Sequence, residues 1–109
     1  MKNEKPLVDF AEDMKRRFVK NFLDLILLQL IESKPMWGYM IIKRTQQQYG
    51  VKLRHGALYP LLNALETAGF LRSRKTLVKG RMRKIYEITP KGKQLIQSYH
   101  SFLKEQMQK

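Results

Sequence analysis

The sequence predicts a mainly α-helical chain carrying one small β-hairpin, in the order helix, helix, helix, hairpin, helix. Three observations point there. Apolar residues recur at helical spacing through three stretches that end at Pro35, Gly50 and Gly69. Beyond Gly69 the spacing shifts toward alternation on both sides of Gly80. Thr89-Pro90 then offers a capping oxygen and a proline at a first helical position, ahead of a last amphipathic run.

Residues 1–8, largely polar with one proline, are expected to be flexible. Residues 9–109 read as one domain, because a chain of 109 residues has room for one modest core. From Asp9 the apolar series Phe10, Met14, Phe18, Phe22, Ile26, Leu30 repeats every four residues, as one long helix or as two with a bend near Lys20-Asn21. Pro35 ends it, since proline restricts the residue before it and donates no hydrogen bond. The second helix runs from about Trp37-Gly38 to Tyr49, with Tyr39, Ile42 and Thr45 or Gln46 on a shared face and Gly50 as its stop. The third covers 56–68, with Leu58, Leu61, Leu62 and Leu65 as its core stripe; Pro60, in or just after the first turn, costs about one backbone hydrogen bond. The hairpin covers 70–88, with Leu71, Tyr86 and Ile88 facing inward, and the last helix covers 90–107.

Lys and Arg total 22 against 9 Asp and Glu, a formal net charge of +13. Such an excess concentrates polyanions, with nucleic acid the leading partner and an anionic membrane surface the weaker one. With no cysteine, thiolate zinc sites, disulfides and thiol nucleophiles are excluded. No apolar run is long enough to span a membrane, and nothing at the amino terminus resembles a secretory signal, so a cytoplasmic setting is expected. There is no phosphate-binding loop, acid pair or triad spacing, so no enzymatic activity and no cofactor are expected. His55 and His100 stand in different helices without a carboxylate cluster, which gives no metal site.

The strongest chemical signal lies between Arg72 and Lys84. The stretch carries Arg72, Arg74, Lys75, Lys79, Arg81, Arg83 and Lys84 and no acidic residue. It follows a helix with one polar face: if Leu58, Leu62 and Leu65 face inward, His55, Tyr59 and Asn63 share another side at spacings of four. A helix that enters the major groove, with a hairpin touching the adjacent backbone, is how helix-turn-helix readers grip duplex DNA. On this reading Lys52, Arg54 and His55, at the helix entrance, hold phosphates, while Tyr59 and Asn63 meet a phosphate or a base edge. Alternation prevents all seven hairpin cations from facing one duplex. Lys79 and Arg81 at the tip are the leading contacts, then Arg74 and Arg83. The plainer alternatives are a solvated basic face for the hairpin and core packing for Trp37, Tyr39 and Tyr86.

Met36-Trp37-Gly38-Tyr39, Gly56-Ala57-Leu58-Tyr59-Pro60-Leu61-Leu62, Leu65-Glu66-Thr67-Ala68-Gly69-Phe70-Leu71 and Gly80 through Gly92, in this order, resemble the PadR-like transcriptional regulators, a winged-helix family. The resemblance implies a winged helix-turn-helix with an added C-terminal dimerisation helix. It also implies a homodimer on double-stranded DNA, with the third helix in the major groove and the wing on the backbone. The terminal helices would build the interface, through Phe10, Met14, Phe18 and Phe22 and through Leu95, Tyr99, Phe102 and Leu103. Some members respond to small aromatic or drug-like ligands; Trp37 and Tyr39 are the candidates here for an effector pocket. The sequence departs from the family pattern at Thr45, Ala57, Ile85 and Glu87. The expected function is a sequence-specific repressor; the alternative is a low-specificity architectural or chromatin-associated DNA binder, which the high charge favours. A protein-interaction module is the remaining reading.

Overall fold

The computed structural model describes residues 4–109. Five helices and one hairpin follow one another: α1 (Leu7–Asn21), α2 (Leu23–Ser33), α3 (Gly38–Tyr49), α4 (His55–Thr67), β1 (Leu71–Val78), β2 (Arg81–Ile88) and α5 (Pro90–Met107). The long N-terminal run is two helices. They break at Phe22, whose φ of −120° and ψ of 33° leave helical geometry, yet its amide still donates to the Phe18 carbonyl at 2.9 Å. Leu7 and Val8, expected in a flexible segment over 1–8, belong to α1; residues 1–3 lie outside the described residues. α4 starts and stops one residue before the expected bounds.

The core forms around α2, where Leu25, Ile26, Leu27, Leu28, Leu30 and Ile31 are all buried. A helix apolar on nearly every side must be surrounded. Val19 of α1, Ile41 of α3, Leu58, Leu62 and Leu65 of α4, Leu71 and Tyr86 of the hairpin and Ile96 of α5 close around it. In α3 the inward side is Ile41 and Thr45; Tyr39, expected on the buried face, is exposed. Thr45 is fully buried and its hydroxyl donates to the Ile41 carbonyl at 2.8 Å, which satisfies a polar atom at an apolar position. α3 ends at Gly50, whose φ of 69° is the left-handed cap that glycine adopts without strain.

The hairpin is antiparallel, in a register that pairs Leu71 with Ile88 and Val78 with Arg81. Lys79 and Gly80 therefore form a two-residue turn, and both have positive φ, 50° and 77°. Such turns match the right-handed twist of the strands. Tyr86 is buried as expected, and it also bridges to the residue before the helix-turn-helix: its amide donates to the Met36 carbonyl at 2.8 Å and Met36 returns the bond at 3.2 Å. α5 begins at Pro90 under a Thr89 cap that accepts from the Gly92 amide at 3.1 Å. Gly92 is required by close packing, since a Cβ there would lie 2.3 Å from the Phe70 carbonyl oxygen. α5 then packs on α2, where the Tyr99 hydroxyl donates to Asp24. Burial and that bond push the Tyr99 hydroxyl pKa up to about 12.

Candidate nucleic-acid interface

α4 opens at Arg54, an extended N-cap whose side chain makes no capping bond. Its carbonyl accepts from the Ala57 and Leu58 amides at 3.1 and 3.0 Å, so the helix starts with its amide end uncapped and bordered by basic Lys52 and Arg54, both exposed. The expected partition of the helix is present. Leu58 and Leu62 are fully buried, while His55, Tyr59 and Asn63 stand on the outer side, with the His55 and Tyr59 rings stacked at 5.6 Å between centroids. Pro60 sits in the second turn on the exposed side, away from this row.

Tyr59 leans back toward α3. A Cβ at position 38 would lie 2.3 Å from its hydroxyl oxygen, which explains the glycine after Trp37. The helix and the wing enclose a cleft of about 450 Å³, lined by His55, Tyr59 and Asn63 on one side and Met82, Arg83 and Lys84 on the other, with Trp37, Tyr39 and Tyr86 around them. Trp37 and Tyr39, the candidate effector residues, thus stand in the same concavity as the candidate DNA contacts rather than beside the terminal helices. The Trp37 indole N–H is enclosed there without an acceptor among the described residues, and the Arg83 guanidinium lies 5.9 Å from the centre of its ring.

The hairpin cations fall into two groups. Glu87 accepts from Arg74 at 2.7 Å, with Arg72 at 3.9 Å, and the hydrogen bond from Arg74 holds its carboxyl below the usual range. Glu66 accepts from the Ser73 hydroxyl at 2.5 Å and lies 3.3 Å from Lys84; the Ser73 bond holds its carboxyl down, and Glu66 in turn raises the Lys84 ammonium. Arg74, proposed as a wing contact, is therefore engaged within the chain, and its Nη1 also reaches the Thr76 hydroxyl at 3.1 Å. Lys75, Lys79, Arg81 and Arg83 make no ion pair among the described residues. Nothing in the spacing of the seven cations reveals these two carboxylate partners. The signal was available, because a two-residue turn at Lys79-Gly80 fixes a register in which Glu87 opposes Arg72 and lies diagonal to Arg74.

The residues expected at a dimer interface also divide. Phe10, Met14 and Phe102 are exposed at 56, 54 and 57%, and Phe18 at 36%. Phe22, Leu95, Tyr99 and Leu103 are half-buried against their own core. Phe22 links the two sets, stacking on Phe18 at 5.2 Å and meeting Tyr99 edge-on at 6.1 Å. Among the described residues no cluster of His, Cys, Asp and Glu could hold a metal, and no helix is long and apolar enough to cross a membrane.

Comparison with known proteins agrees with this geometry. The chain is 36% identical over 78 residues to the transcriptional regulator Rv3488 of Mycobacterium tuberculosis, covering 72% of each. A solved PadR family transcription regulator from Clostridium difficile superposes with a TM-score of 0.71 at 25% identity, over 80% of this chain and 95% of that one. The PadR family transcriptional regulator from Eggerthella lenta shares the fold at a TM-score of 0.77 and 22% identity, over 94% and 89% of the two chains. The family model described as the transcriptional regulator PadR-like family matches residues 27–98. The wing, the outward row of α4 and these likenesses together make the chain a winged-helix, DNA-binding member of the PadR-like family of transcriptional regulators.

Proposed function

We propose that the protein is a homodimeric, sequence-specific repressor that binds double-stranded DNA with α4 in the major groove and the wing tip on the backbone. The observation that carries this reading is the shared cleft: the row His55, Tyr59, Asn63 and the returning wing strand face one concavity with no acidic residue in its lining. Lys52, Arg54 and His55 then meet phosphates, and Tyr59 and Asn63 a phosphate or base edge. Lys79 and Arg81 grip at the turn, and Arg83 supports them from the cleft wall. The chemistry is occupancy alone, two α4 helices about 34 Å apart reading a near-palindrome and blocking polymerase. An effector held by Trp37 and Tyr39 would compete with DNA, since those residues line the same cleft.

Two measures of shape support a second copy. The radius of gyration is 16.2 Å, against about 13 Å for a compact domain of this length. The accessible surface is 7854 Å², about 1,500 Å² more than the roughly 6,300 Å² of a compact monomeric protein of this mass. A surplus of that order on each of two copies is about 3,000 Å² in total, which, with Phe10, Met14, Phe18 and Phe102 exposed on the terminal helices, suits the larger interface of an obligate homodimer.

The net charge of +13 favours a second reading, a low-specificity architectural DNA binder. Selection of bound duplexes from a random pool, followed by competition with unrelated duplex, separates the two. The repressor requires an enriched near-palindrome preferred by more than tenfold, with transcription reduced from a promoter that carries it; a smaller preference leaves the architectural binder.

A further inference from the structure

On the opposite side of α1 from Phe10, Met14 and Phe18, a second cleft of about 550 Å³ opens between α1 and the segment leading into α4. Its floor is apolar, with Val19, Leu23 and Leu53 among the lining residues, and Val19 and Leu53 buried. Its rim is entirely cationic: Arg16 and Lys20 from α1, Lys52 and Arg54 from the other wall, with no acidic residue in the lining. Arg16 is partly compensated by Asp13 at 2.9 Å, while Lys20, Lys52 and Arg54 make no ion pair among the described residues. The size lies within the range of small-molecule sites.

An apolar floor under a ring of cations selects a ligand with an apolar body and an anionic head. A bare phosphate gains nothing from the floor, and a neutral hydrocarbon gains nothing from the rim. Position also matters. Lys20 lies two residues from Phe18, about 200° around the helix, so the cleft stays open when a second copy covers the aromatic stripe. We infer that this cleft is a binding site for a single-chain amphipathic carboxylate, whose head group is held by Lys20, Lys52 and Arg54. Because the last two cations are also assigned to DNA phosphates, a bound carboxylate releases the protein from DNA; that coupling, unlike the binding itself, rests on the proposed function.

The test is calorimetric titration of the full-length protein, without DNA, using dodecanoate below its micellar concentration. The expected result is saturable binding of about one molecule per chain, lost by tenfold or more in the double variant Lys20→Gln/Arg54→Gln. Ala57→Phe, which fills the cleft from α4, has the same effect, with circular dichroism confirming that each variant is folded. Lys79→Gln/Arg81→Gln removes equal charge at the wing and changes binding less than twofold, and neither dodecanol nor inorganic phosphate binds. Equal loss in the wing variant, equal binding of dodecanol, or no saturable binding overturns the site. Adding dodecanoate to the protein–DNA complex then tests the coupling: release of DNA supports it, whereas binding without release keeps the site and removes Lys52 and Arg54 from the DNA contacts.

Discussion

Lys79 holds a left-handed backbone conformation, with φ of 50°, that asparagine or glycine adopts more easily. The chain therefore keeps a cation at the tip at a conformational cost of about 1 kcal/mol. Lys79→Asn is expected to raise the melting temperature slightly while weakening DNA binding and lowering the salt slope by about one unit, opposite signs read by calorimetry and by anisotropy over a salt series. Glu87 pairs with Arg74 and lies near Arg72, and on the proposed function that pairing competes with a phosphate for both. Glu87→Gln is expected to tighten binding to unrelated DNA and steepen the salt dependence by up to about two units; an unchanged slope would show that neither arginine can reach a phosphate. The two carboxylates held low, Glu66 and Glu87, stabilise the wing above their ordinary value of 4.5, and that contribution is lost as pH falls below it. At this scale the sequence was legible where spacing alone decides exposure, as for His55, Tyr59 and Asn63. For Arg74 spacing was not enough: its partner is set by strand register, which becomes readable only once the turn is placed at Lys79-Gly80.

At the scale of elements, α5 is positioned by two features, Gly92 against the Phe70 carbonyl and Tyr99 against Asp24. A methyl group at 92 would meet backbone rather than a flexible side chain. Gly92→Ala is accordingly expected to destabilise the fold by about 1–3 kcal/mol in chemical unfolding, with α5 shifted off the hairpin. The Tyr99 hydroxyl ionises at an ordinary value of 10.0 when unfolded and at about 12 when folded. Its contribution is complete below pH 10 and disappears as pH rises through the folded value, so alkaline unfolding should begin in that interval and Tyr99→Phe should flatten it. The order of elements could be read from the sequence because Pro35, Gly50, Gly69 and Thr89-Pro90 punctuate it. The break at Phe22 and the exposure of Tyr39 could not, since an unbroken apolar period fits one helix or two, and which side of α3 is buried depends on where α2 lies.

For the whole molecule, the surplus of surface predicts a solution mass twice 13.0 kDa in sedimentation equilibrium. Replacing Phe10 and Met14 with glutamate is expected to yield a folded monomer with DNA affinity reduced by tenfold or more, because two half-sites are no longer linked. The bridge between Met36 and Tyr86 sets how such a dimer meets its site. It pins the base of the wing to the start of α3, and the five steps along the strand from Tyr86 to Arg81 form an arm of about 17 Å at ~3.3 Å per residue. The wing is thus a cantilever with one clamped end, and a tilt of about 5° at the clamp displaces Lys79 and Arg81 by about 1.5 Å, half a hydrogen-bond length. Whatever nudges the junction of α2 and α3 is geared up at the tip, so the grip on DNA can be loosened from a place that touches no DNA at all.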